Sequence, residues 1–189
     1  MRRHIFIETI LTMSVFVLWG GYVHADDFSA NLSGFEEIGP LGGGETGAIL
    51  SGATGTLRLR LDKRSRSLAY TLTYSSGASA PVTQAHIHFG KVHVAGGIIA
   101  FLCSNLASPP PGTPTCPTPS GTVSGILDAT SVIGPSAQNV TPGNFDALVA
   151  ALTSDTAYVN VHTTNFPAGE IRGQIEGNKS EGNRLMNED

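Results

Sequence analysis

Charge, thiols and helical periodicity are all scarce in this chain of 189 residues. Only 14% of residues are charged, and there are two cysteines and one tryptophan. Eleven basic against fifteen acidic side chains leave a formal charge of −4 with neutral histidines. That balance supplies no electrostatic footprint for nucleic acid or an anionic membrane. No serine sits in a nucleophile motif, and no pair of carboxylates stands out for hydrolysis. Catalytic residues of the hydrolase kind are therefore not expected. Segments with a 3.6-residue apolar period are nearly absent, while 23 glycines and 11 prolines punctuate the chain. This composition reads as all-β.

The one long apolar run is N-terminal. Arg2, Arg3 and His4 precede Ile5–Gly21, which is apolar apart from Glu8, and Val23-His24-Ala25 offers tolerated residues for cleavage. Residues 1–25 read as a secretory signal cut after Ala25. The run is too short, and too closely followed by a cleavage site, to read as a membrane anchor. Cleavage would leave 164 residues and, without Arg2, Arg3 and Glu8, a charge of −5. That is enough chain for one domain with a core of its own. The expected location is secreted or periplasmic, with no stable membrane insertion after cleavage. The expected partner is an extracytoplasmic ligand or protein, not nucleic acid.

Export implies an oxidising compartment, so Cys103 and Cys116 are expected to form one disulfide. The loop between them is rich in proline and cannot pack by itself. Closing a loop of this size contributes roughly 3 kcal/mol in the chain-entropy picture.

Strands are expected at Phe28–Ser33, Thr54–Asp62, Leu68–Tyr74, Val82–Phe89, Gly97–Cys103, Gly121–Leu127, Ala157–Thr163 and Glu170–Glu176. Leu57, Leu59 and Leu61 alternate with polar residues, as do Leu68, Tyr70, Leu72 and Tyr74. With the polar turn Lys63-Arg64-Ser65-Arg66 between them they spell a hairpin. One short helix is expected, capped by Thr141, with Pro142 in its first turn and an apolar stripe of Phe145, Leu148, Val149 and Leu152. It would plug one end of the strand assembly. Ile38–Gly47 is glycine-rich but lacks the strand, lysine and helix of a phosphate-binding loop, and reads as a flexible connection. Residues 177–189 are polar and read as a disordered tail. Asn31, Asn139 and Asn178 each head an N-glycosylation pattern.

Two runs carry the functional information: Gln84-Ala85-His86-Ile87-His88-Phe89-Gly90 and Tyr158-Val159-Asn160-Val161-His162-Thr163. In both, polar and apolar residues alternate with period two, so every histidine falls on the polar face. Two imidazoles at i and i+2 on one strand, and a third on another, are the raw material of a three-histidine metal site. Such a site needs the nitrogens of His86, His88 and His162 within about 4 Å of one another, so that bonds of ~2.0 Å meet at one point. This face is expected to look toward solvent, with Ile87, Val159 and Val161 anchoring the strands from beneath.

A hairpin between the second run and Gly169-Glu170-Ile171-Arg172-Gly173-Gln174-Ile175 would pair Asn160 with Arg172 and His162 with Glu170. Glu170 would then either support a histidine's second nitrogen or form a surface ion pair with Arg172. The plainer alternative for the histidines is a set of hydrogen-bonded strand side chains on a polar face. Neutral imidazoles suit copper or zinc, and copper fits an exported location.

These stretches, with Phe28–Gly34 and the Leu57–Tyr74 hairpin, resemble a CHRD domain, the module named for its occurrence in chordin. The likeness covers nearly all of residues 27–176. It implies an immunoglobulin-like antiparallel barrel or sandwich distantly similar to copper-zinc superoxide dismutase, without a settled activity. Chordin's growth-factor binding is not carried over, because a single module without chordin's companion domains is expected here. Through the dismutase likeness, His86, His88 and His162 match copper-ligand positions. Arg172 resembles the arginine that guides the anion, placed at the mouth of the site. The histidine-rich zinc loop has no counterpart, and His93 is the only spare ligand. The resemblance thus implies a binding or structural module, with a copper-only site as the alternative.

Overall fold

The computed structural model describes residues 26–38, 47–75 and 80–178. The expected signal segment, most of the glycine-rich connection and residues 179–189 of the expected tail lie outside the described residues.

Nine strands form one antiparallel sheet that curls into a nearly closed barrel. They are β1 (Asp26–Ser33), β2 (Thr54–Asp62), β3 (Ser67–Ser75), β4 (Val82–Phe89), β5 (Gly97–Ser104), β6 (Gly121–Leu127), β7 (Ala157–Thr163), β8 (Ile171–Gln174) and β9 (Glu176–Gly177). The order is β5-β4-β7-β8-β1-β2-β3-β6, with β9 beside β1. The all-β expectation is met as a barrel and not as two stacked sheets. The ends of the sheet, β5 and β6, meet at a seam, where the Tyr70 hydroxyl of β3 donates to the carbonyl of Leu102 on β5 at 2.7 Å.

The period-two patterns decide which side chains fill the barrel. Leu57, Leu59 and Leu61 of β2 face Leu68, Tyr70 and Leu72 of β3 inside, while Arg58 and Arg60 stay out. The pairing Leu57↔Leu72 and Leu61↔Leu68 is the register the expected hairpin requires. Its turn is held by Asp62, whose Oδ1 accepts the N–H groups of Arg64 at 2.8 Å and Ser65 at 3.1 Å. The disulfide Cys103–Cys116 is formed, and both residues are buried in the core. It ties the end of β5 to the proline-rich loop.

One helix, α1 (Phe145–Thr153), buries Phe145, Leu148, Ala151 and Leu152 in the same core. Its cap differs from the expectation. Thr141 and Pro142 belong to a preceding turn in which Asn144 N–H donates to Thr141 O at 3.1 Å. Asn144 is the cap, its side chain accepting from Ala147 N–H at 3.1 Å. The buried stripe takes in Ala151, and Val149 is only partly buried.

Candidate metal centre

Strand β4 carries His86 and His88 on one face and Ala85 and Ile87 in the barrel core. β7 lies beside it, pairing His86 with Asn160, Gln84 with His162 and His88 with Tyr158. On its other side β7 pairs Asn160 with Arg172 of β8, the register expected from the sequence. The outer face of β4, β7 and β8 therefore collects His86, His88, His162, Asn160, Tyr158 and Arg172.

That face does not look toward solvent. His86, His88 and His162 are only 0%, 8% and 6% exposed, and Asn160, Glu170 and Arg172 are equally buried. The alternation is as expected; its exposure is corrected. The reason is that loops return over the outside of the barrel. The connection from β4 to β5 (residues 90–96), the segment 34–37 after β1 and the turn 164–169 after β7 roof the face. Arg172 Nη2 donates to Lys91 O and Val94 O of the first loop, both at 3.1 Å. Gln174 Nε2 donates to Gly90 O at 3.2 Å.

Under this roof the three imidazoles gather. Ring centroids lie 4.8 Å apart for His86–His162, 5.4 Å for His86–His88 and 6.5 Å for His88–His162. One nitrogen from each ring falls within 4.8 Å of the others. This is wider than the expected approach of about 4 Å, which bonds of ~2.0 Å to one ion require. Closing the gap takes a shift of under about 1 Å, within reach of side-chain rotation.

The hydrogen bonds fix what the rings offer. His88 Nδ1 lies 2.9 Å from Gly96 O, and His162 Nδ1 lies 3.0 Å from Pro167 O. A carbonyl only accepts, so each Nδ1 carries the proton and each Nε2 carries the lone pair. This is how metal-bound histidines are commonly oriented: one nitrogen held by a backbone carbonyl, the other free for the ion. His86 makes no hydrogen bond through either nitrogen, although it is fully buried against Phe101. His88 Nε2 also lacks a partner.

Burial pushes the His86 pKa down to about 2, with His162 and His88 adding to the shift. Burial also lowers His88, to about 4, with the nearby His162 and Arg172 adding to the shift and the Gly96 carbonyl opposing it. His162 is lowered by burial, with the Pro167 carbonyl opposing. All three rings are therefore neutral near pH 7, the state in which imidazole binds metals.

The other expected site residues fall differently. His93 does not join the cluster. It lies on the loop 90–96 with a left-handed φ of 58°, its side chain 74% exposed and 3.7 Å from Glu36. Glu170 supports no histidine and makes no surface ion pair. Its oxygens accept from Ser51 Oγ at 2.6 Å and Thr163 Oγ1 at 2.7 Å. Arg172 is not at an open mouth. Its guanidinium lies 3.4 Å over the Tyr158 ring, which is stacked in turn on His88 at 4.7 Å and 8°.

Two further participants carry little signal in the sequence. Tyr158 was on the histidine face by alternation, but nothing in the pattern marked it as a platform between Arg172 and His88. Glu37 had no signal at all. It is 3% exposed, and its Oε1 accepts from Ile38 N–H at 2.9 Å. Its Oε2 has no partner within hydrogen-bond distance. Burial raises its pKa, while Ile38 N–H, Arg172 and the nearby Asn160 amide pull the other way. Gly169 makes room for it: with φ of 135°, a Cβ there would stand 2.3 Å from Glu37 Oε2 and 2.9 Å from Asn160 Nδ2.

A family model for the CHRD domain matches residues 28–175. The chain belongs to the CHRD domain family. Membership supports a structural or binding role. No curated protein and no solved structure matches the chain.

Proposed function

We propose that this CHRD domain is an exported metal-binding module in which His86, His88 and His162 hold one ion, with copper as the first candidate. One observation carries the reading. A fully buried imidazole, His86, leaves both nitrogens without a hydrogen bond, beside two rings whose Nδ1 protons are held by backbone carbonyls. Unpartnered buried polar atoms cost about 1–3 kcal/mol each, and an ion bound between the rings would remove part of that cost.

Export rests on the N-terminal signal pattern and on the extracellular habit of CHRD domains. Among the described residues no helix is long and apolar enough to cross a membrane. We read the role as metal holding rather than turnover. Arg172, the candidate guide for a small anion, lies beneath the roof and is tied to loop carbonyls.

Metal analysis of the purified chain after loading with copper tests the proposal. One equivalent is expected in the parent chain and much less in His88→Ala and His162→Ala. No stoichiometric metal in the folded parent would refute it. Measurable superoxide dismutation by the copper-loaded parent, lost in the same variants, would move the reading from holding to catalysis.

A further inference from the structure

We propose that Asn160 is the fourth donor of this site, its carboxamide oxygen completing a three-nitrogen, one-oxygen set for a divalent cation. The inference rests on the three-histidine reading above and adds an oxygen donor to it, and with it a metal preference.

Asn160 occupies the middle of the cluster. It is 3% exposed, stands directly opposite His86 in the β4–β7 pairing and lies two residues before His162 on β7. Residues so placed share one face of the sheet with Cβ atoms about 5–7 Å apart. Its Oδ1 lies 3.0 Å from His162 Nε2. In the neutral ring that nitrogen carries a lone pair, because the proton is on Nδ1 facing Pro167 O. Two acceptors therefore face each other at hydrogen-bond distance with no proton between them. Left so, the contact is repulsive. A cation seated against both resolves it, since neighbouring donors with bonds of about 2.0–2.2 Å stand roughly 3–3.5 Å apart.

Turning the amide over would give His162 a donor, but it would bring the amide oxygen to the Glu37 side. Glu37 Oε2 and Asn160 Nδ2 lie 2.3 Å and 2.9 Å from the same point above Gly169. A carboxylate on that side favours, by charge and not through a hydrogen bond, the amide with nitrogen toward it and oxygen toward the imidazoles. Glu37 is a positioning residue for the oxygen, not a donor.

The donor set has a chemical consequence. An amide oxygen is a hard ligand and imidazole is intermediate, whereas copper(I) favours thiolate and thioether. The cysteines are in the disulfide and none is free. The set should therefore favour cobalt(II), zinc(II) and copper(II) over copper(I).

The test titrates the full, metal-free chain with cobalt(II), whose visible absorption reports coordination number and donor type, and measures copper(I) affinity separately. Parent, Asn160→Ala and Asn160→Asp are compared, with His162→Ala as reference. The parent should bind one cobalt(II) with a four-coordinate spectrum. Asn160→Ala should shift the bands and weaken cobalt(II) by about 10–100-fold, with copper(I) affinity changed far less. Asn160→Asp, an anionic oxygen at the same place, should bind at least as tightly as the parent with altered bands. If both variants keep the parent's affinity and spectrum, Asn160 is not a ligand and the three-histidine reading stands alone. If the folded parent binds no cobalt(II), that reading falls, and this one with it. Should Asn160→Ala not fold, the aspartate spectrum decides: unchanged bands overturn the proposal.

Discussion

Replacing His86 with leucine should make the metal-free protein more stable, not less. In the folded chain both imidazole nitrogens are buried without hydrogen bonds, whereas in the unfolded chain water satisfies them. Each such group costs about 1–3 kcal/mol. The substitution forfeits the edge-on contact with Phe101, worth about 0.5–1.5 kcal/mol, and a similar amount for imperfect fit. The expected net gain is roughly 1–3 kcal/mol near pH 7, or about 3–8 °C in Tm for a domain of this size.

The gain should grow in acid. A group whose pKa is depressed in the folded state binds protons preferentially when unfolded, so its contribution is present above the unfolded pKa and is lost as pH falls. For His86 the window runs from about 6.5 down to about 2. Within it the parent should lose about 1.4 kcal/mol per pH unit at this position, and the leucine variant none. Urea unfolding in a chelator at pH 7 and pH 5 measures both quantities. With metal at a thousandfold excess over Kd the order should reverse, because the parent alone gains about 4 kcal/mol. A leucine variant less stable than the parent in chelator, or a difference that ignores pH, would refute the account of His86 as an unsatisfied buried imidazole.

Three further outcomes are expected. Cys103→Ala/Cys116→Ala should lower stability by about 2–4 kcal/mol in urea unfolding, through the released loop; an unchanged midpoint would contradict this. Gly169→Ala should cost at least about 2 kcal/mol and weaken metal binding, because its Cβ has no room between Glu37 and Asn160; parent-like unfolding and affinity would show that the turn adjusts freely. Tyr70 and Tyr74 are pushed up to about 12 by burial. The unfolded chain releases their protons from about pH 10, so stability should fall between about 10 and 12. Ultraviolet titration of the folded protein should show the Tyr70 and Tyr74 phenols ionising near pH 12, and both ionising at the ordinary value would count against their burial.

Most of the barrel was legible because its strands alternate apolar and polar residues, whether or not the polar face is later covered. Thr54–Asp62, Val82–Phe89, Gly121–Leu127 and Ala157–Thr163 have the bounds the alternation predicted. The histidine trio was legible for the same reason, since period two places His86, His88 and His162 on one face whatever covers it. What covers it was not legible. Alternation separates two faces but says nothing of loops that fold back over the polar one, so the histidines, Arg172 and Glu170 were expected in solvent. His93, the spare ligand, stays out of the cluster because the chain leaves the sheet at Gly90 and carries it onto an exposed loop. Glu37 could not be found, since it reaches the site only through the pairing of β1 with β8.

The order in which the strands are made bears on when the site can exist. β4, with His86 and His88, is synthesised long before β7 delivers Asn160 and His162. The sheet closes only when the C-terminal strands pair with β1; Ser29 and Asn178, which are hydrogen-bonded, are 149 residues apart in the chain. An early fragment ending before β7 carries two imidazoles and no centre. On the proposed reading, metal capture would report a completed chain, and an ion binding only the closed barrel would act as a latch on the last step of folding.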